Sequence, residues 1–199
     1  ALVGLQPLLQ ADGAPPLELK ANAREKKNFG GRDTIGTVCG DECGARALGK
    51  LTQLLGAEEA AAELPALKSV ALETTEVEEP WWVTGVENKQ QVSARVAEFI
   101  HQIEHSPHAA IVVVGHSHFF RSTFQRYLHP DVARRAAELD AKLREEVLPN
   151  CGVACCQFDF TRGPRMITDV RVLIAMPSPT GDFRLVMQRQ QEQLAGPVV

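Results

Sequence analysis

Ile111-Val112-Val113-Val114-Gly115-His116-Ser117-His118 is the stretch that decides how this chain folds. Four β-branched residues in a row suit a strand buried on both faces of a parallel sheet. Gly115 at its carboxyl end permits a sharp turn, and the run 119–128 behind it reads as a helix. Open α/β sheets bind ligands beyond the carboxyl ends of their strands. His116 is therefore expected to stand at a ligand site rather than in a packed core.

Working outward, Val92, Val96, Phe99, Ile100 and Ile103 recur at spacings of three and four and predict an amphipathic helix over 88–105. Downstream, Asp131 is expected to cap a long helix with the stripe Val132, Ala136, Leu139, Leu143 and Val147, ended by Pro149-Asn150. Residues 151–160 and 166–174 read as two strands joined by a turn at 161–164. Upstream, the Ala/Leu-rich run 45–64 reads as a helix that Pro65 ends. Residues 21–44, rich in Gly, Asp, Asn and Lys, read as a surface loop, and the acidic run 73–79 as a solvated one. Ala1–Leu9 reads as a short apolar strand or the tail of an element, and 183–194 as a Gln-rich helix. Helix, strand and helix alternate around 111–114. The expected class is α/β, a three-layer α/β/α arrangement with a mostly parallel central sheet, in one domain over 1–199.

A chain of 199 residues can bury a sizeable core. Its net charge of -4 gives no general attraction for nucleic acid or acidic membrane. No apolar run approaches the roughly 18 residues of a membrane span, and Ala1–Leu9 shows no targeting pattern. Nucleic acid and a membrane span are thus excluded from the expected partners. The five cysteines are Cys39, Cys43, Cys151, Cys155 and Cys156. An odd count argues against a disulfide framework and for a reducing intracellular compartment, cytoplasm or organelle. A zinc site drawn from both groups is the sharper alternative. The C-x3-C spacings differ from the common C-x2-C knuckle, so plain thiols and no metal are expected.

Three segments, taken in order, carry a resemblance. Ala23-Arg24-Glu25-Lys26-Lys27-Asn28-Phe29-Gly30-Gly31-Arg32-Asp33 comes first, then Glu87 with Arg95 and Phe99, then Val113-Val114-Gly115-His116-Ser117. Pro80-Trp81-Trp82 and Asn150-Cys151-Gly152-Val153 agree with them. Together they resemble the phosphoglycerate-mutase-like histidine phosphatases, over roughly Leu5 to Phe160. In that family an Arg-His-Gly histidine attacks phosphorus, a second histidine binds the phosphoryl oxygens, and an acidic residue protonates the leaving oxygen. The resemblance implies that His116 matches the second histidine and Glu25 the acid, with the backbone N–H of Ser117 facing the phosphate. No cofactor is implied. Elementary chemistry agrees, because a helix N-terminus and an imidazolium both favour a dianion. An alkoxide also leaves poorly unless it is protonated.

The chain departs from the family pattern at one decisive place. No Arg-His-Gly occurs in it, and its histidines are His101, His105, His108, His116, His118 and His129. The chain as given is therefore expected to be inactive. An upstream segment carrying the nucleophile is expected beside 111–114, which would otherwise present a long apolar edge. With that segment, the expected activity is metal-independent hydrolysis or transfer of a phosphoryl group on a phosphorylated small molecule or phosphoprotein. Without it, the fold is expected to serve as an inactive binding or scaffold subunit of a larger assembly. Trp81-Trp82 beside Glu78-Glu79 could then anchor a protein partner, although packing over the domain's own core is the plainer expectation for them. Gly-His-Ser-His also looks like the last metal-binding motif of calcineurin-type metallophosphoesterases. That chemistry needs upstream Asp-x-His, Gly-Asp and Gly-Asn-His segments; Asp-x-His and Gly-Asn-His do not occur here, and Gly40-Asp41 stands without them. His118 is read as a capping or supporting residue, and Arg121 as better placed than Arg126 to reach a phosphate.

Overall fold

A computed structural model describes residues 16–26, 38–83, 85–149 and 151–174. The chain divides into two units, residues 1–89 and 90–199. In the first, β1 (Leu17–Glu18) pairs in parallel with β2 (Leu72–Glu73), Leu17 opposite Leu72. Leu17 N–H donates to the Ala71 carbonyl at 2.8 Å and Leu19 N–H to that of Glu73 at 2.9 Å. A parallel pair needs a long crossover, and α1 (Asp41–Lys68) lies on it. Asp41 and Glu42 in its first turn and Lys68 in its last complement the helix dipole.

Two sequence expectations are corrected in this unit. Pro65 lies inside α1 instead of ending it. A proline so near the carboxyl end costs a single hydrogen bond, and the last turn still closes behind it. The acidic run is not wholly solvated either. Thr75–Val77 forms a 3-10 turn that buries Val77, whose carbonyl accepts from Gly40 N–H at 2.7 Å.

The second unit starts with α2 (Lys89–Glu104), whose first residue sits at the boundary. Its buried face is Val92, Arg95, Val96, Phe99 and Ile100, the predicted stripe with one arginine added. α3 (Ser117–Tyr127) buries Phe119, Thr123, Phe124 and Tyr127, and Phe119 meets Phe99 edge-on with centroids 5.2 Å apart. The single long helix expected next is two helices, α4 (Pro130–Arg135) and α5 (Ala137–Glu145). Ala136, at φ -149 and ψ 69, leaves the helical region between them. Val132, Leu139 and Leu143 of the predicted stripe are nonetheless buried. The cap is His129, not Asp131. His129 Nδ1 accepts from Asp131 N–H at 3.2 Å, because Pro130 takes the first helical position, where its missing donor does no harm.

β3 (Val153–Phe158) and β4 (Ile167–Ile174) pair antiparallel, with Cys156 opposite Val170. Ile167, Val170 and Val172 bury one face of β4. The chain leaving α3 is tied to this hairpin, since Leu128 bridges Ile167 and His129 N–H donates to the Ile167 carbonyl at 2.9 Å. Ahead of β3, a Cβ on Gly152 would stand 2.8 Å from the Pro149 carbonyl oxygen, so only glycine fits that turn.

The chain is thus α/β. Among the described residues the sheets are two two-stranded ones, one parallel and one antiparallel, and a mostly parallel central sheet is not among them. Residues 110–115 are irregular rather than a strand. The β-branched run is right for a strand, but a strand exists only by pairing, and no described segment pairs with this one. Ile111, Val112 and Val114 are 43%, 68% and 58% exposed in consequence. The strand expected at 1–9 and the helix at 183–194 lie outside the described residues. No helix among the described residues is long and apolar enough to cross a membrane.

Candidate functional site

His116 is the N-cap of α3. Its backbone is extended, at φ -98 and ψ 146, and its side chain makes no capping hydrogen bond. Its carbonyl accepts from Phe120 N–H at 3.1 Å, the first bond of the helix. The N–H groups of Ser117, His118 and Phe119 come before that bond, so the helix has no carbonyl for them. They converge with the positive end of the dipole on the side where His116 stands, which is an anion-binding arrangement. The His116 and His118 side chains are exposed and Ser117 is half-buried. The helix expected behind Gly115 is present, although the strand ahead of it is not.

What holds this helix end in place is its packing. Phe119, 2% exposed, packs against Phe99 of α2 and Phe120. The buried Arg95 guanidinium lies over the same ring, 5.8 Å from its centroid. At the far end, Arg144 of α5 donates to the carbonyls of Gln125 at 2.9 Å and Leu128 at 3.2 Å. Its Nε donates to Asp140 Oδ2 at 2.8 Å. A cation on the last carbonyls of a helix satisfies groups that have no helical partner. Arg121 is half-buried, one turn beyond Ser117. Arg126 lies in the last turn, over the Tyr127 ring at 5.8 Å, roughly 13 Å of helix from the first residue.

Glu25 lies in the first unit and His116 in the second. The half-buried Glu25 carboxylate accepts from Lys26 N–H at 2.9 Å. Its neighbour Arg24 follows a 3-10 turn over Ala21–Ala23 and donates from Nη1 to the Ala21 carbonyl at 2.9 Å. Nη2 of the same guanidinium meets Glu87 Oε1 at 2.8 Å. The side chain of Glu87 is 0% exposed, so a buried carboxylate is held by the residue next to the candidate acid. Sequence reading picked out both Arg24 and Glu87 but not their pairing, because no spacing rule connects residues so far apart.

The five thiols are all free. Burial pushes Cys156 up to about 12, with Cys155 and Asp169 adding to the effect. Burial likewise raises Cys43, whose thiol donates to the Val38 carbonyl at 3.3 Å. A thiol held protonated in this way is a weak nucleophile. Trp81 Nε1 donates to the Val38 carbonyl at 2.9 Å and its ring meets Trp82 edge-on. Both tryptophans are half-buried.

A family model of the histidine phosphatase superfamily (branch 1) matches residues 46–153, more than half of the chain. The match covers Glu87, Arg95, His116 and Ser117 and stops short of Arg24 and Glu25. Neither a curated protein nor a solved structure gives a significant match.

Proposed function

The chain belongs to the histidine phosphatase superfamily, and from that premise we propose that it acts on phosphomonoesters through a phosphohistidine, given an Arg-His-Gly segment upstream. The observation that carries this is the position of His116, a histidine at the amino end of a helix whose first three N–H groups have no helical acceptor. A phosphomonoester dianion binds there, held by Ser117 N–H and a ring N–H of His116, which oppose the charge building on the phosphoryl oxygens. The upstream histidine nitrogen attacks phosphorus and the P–O bond to the leaving group breaks. Glu25 gives its proton to the departing oxygen. Water then attacks phosphorus while Glu25 takes its proton, the N–P bond breaks, and phosphate and the free histidine are released. No metal takes part.

This function brings with it a three-layer α/β/α domain around a mostly parallel sheet, in which 111–114 pairs with the strand that bears the nucleophile. The exposure of Ile111, Val112 and Val114 supports this, because alternation along an extended run puts them on opposite sides and leaves both uncovered. The substrate is a phosphorylated small molecule or a phosphoprotein.

A second possibility, an inactive binding or scaffold subunit, is favoured by the lack of Arg-His-Gly in these 199 residues. One experiment separates the two. Peptide mapping and intact mass of the native polypeptide show whether that segment is present, and p-nitrophenyl phosphate with EDTA then reports turnover. Acid-labile phosphate on the protein is the expected companion result. An Arg-His-Gly polypeptide that neither turns over nor traps phosphate would overturn the enzymatic proposal.

A further inference from the structure

The polar face of α2 carries a group that the phosphatase chemistry does not use. His101, Glu104 and His105 stand at i, i+3 and i+4, so one turn of helix brings all three to the same side. One nitrogen of each ring and a Glu104 carboxylate oxygen lie within 4.8 Å of one another. The two imidazoles are 4.1 Å apart between centroids, tilted by 57°. His101 Nδ1 lies 3.7 Å from Glu104 Oε2. All three side chains are exposed, so rotation about their χ angles can bring the ligand atoms closer at little cost.

A second observation fixes which atom His105 offers. Its Nδ1 is 3.0 Å from the His101 carbonyl oxygen. A carbonyl only accepts, so that nitrogen carries the ring proton and Nε2 keeps its lone pair. Ligating histidines are commonly oriented in this way, with the other ring N–H on a carbonyl or carboxylate. From this arrangement we infer that the last turn of α2 binds a borderline divalent transition-metal ion, Zn2+, Ni2+ or Cu2+, through His101, His105 and Glu104. Two imidazoles and one carboxylate suit these ions, whereas Ca2+ and Mg2+ prefer all-oxygen shells. Zn–N bonds are about 2.0–2.1 Å, which puts two bound nitrogens no more than roughly 4.2 Å apart. Rotation of the three exposed side chains supplies the closure from the present arrangement. Three protein ligands leave room for water to complete the shell.

Nickel chloride added to the full chain, with thiols kept reduced by a phosphine, tests the site. The His101 and His105 ring proton signals should broaden before those of His108, His116, His118 and His129. Calorimetry should show the first binding event weakened about tenfold or more in His105→Ala, and in His101→Gln as an independent check. Glu104→Gln should weaken it less. Simultaneous broadening of all six histidines, first broadening next to the cysteines, or an affinity within about twofold of wild type in both histidine variants would each remove the site. The circular dichroism of the variants should match the parent, because neither ring is buried.

Discussion

Arg24 and Glu87 are joined by a 2.8 Å ion pair across 63 residues of chain, and the Glu87 side chain is withdrawn from water. The pair fastens the segment bearing Glu25 to the residues just ahead of α2. Taking a carboxylate out of water is costly unless a cation and further donors meet it. The guanidinium is the right partner because its fork serves two acceptors at once, here Glu87 and the Ala21 carbonyl.

Removing Arg24 leaves the Glu87 charge buried without this partner. Arg24→Ala should destabilise the protein by about 3 kcal/mol, the usual cost of breaking a buried pair from one side. Urea unfolding reads this directly. Arg24→Met combined with Glu87→Leu should recover most of the loss, because the stranded charge is gone. A single variant as stable as the parent would show that the pair has no structural weight.

Arg144 should matter for a different reason, since it satisfies carbonyls at the end of α3 while Asp140 holds it in place. Arg144→Ala is expected to cost about 2 kcal/mol, as the part-buried Phe124 and Leu128 carbonyls lose a charged donor. Amide hydrogen exchange should speed up first in the last turn of α3. Arg144→Lys should not rescue it, because an ammonium cannot reach three acceptors with one rigid fork. Equal protection in all three proteins would refute the capping role.

The thiols should separate sharply in reactivity. Cys151 and Cys155 are exposed, while burial pushes Cys156 up to about 12. N-ethylmaleimide at pH 8 should label the exposed pair and spare Cys156, as mass spectrometry of the peptides would show. A thiol raised on folding keeps its proton in the native state after the unfolded chain has lost it, so stability falls as pH rises. The window runs from the ordinary 9.0 to about 12. Cys156→Ala should flatten that alkaline decline, and an unchanged slope would assign it to other groups.

On the proposed phosphohistidine chemistry, His116→Ala should lower kcat by on the order of 10²-fold, as for loss of one preorganised donor to a developing oxyanion. Glu25→Gln should slow esters with poor leaving groups far more than p-nitrophenyl phosphate, whose leaving group needs little protonation. Equal effects on both substrates would take Glu25 out of the acid role.

Much of the second unit was legible because it rests on local signals. The stripe from Val92 to Ile100 is a period of 3.6 read on one helix, and the two strands after Asn150 follow from their turn residues. Gly115-His116-Ser117 announced a helix start that the structure contains. The failures share a cause as well. Val112 and Val114 have strand propensity, yet pairing is decided by whatever lies alongside, and sequence spacing does not reveal that. Pro130 displaced the cap from Asp131 to His129, a contest between two legitimate signals. Arg24–Glu87 and Arg144 at the α3 terminus are contacts between distant segments, beyond the reach of any periodicity. The His101 cluster did lie within reach, but its i, i+3, i+4 spacing was absorbed into the solvent face of an amphipathic helix.

Because Arg144 grips the carboxyl end of α3 while Phe119 is wedged at the other, the helix is a rod clamped at both tips. Each clamp is built from different elements, α5 at one tip and α2 at the other. The orientation of the first turn is thus underwritten twice, and loss of one clamp leaves the other to hold it alone.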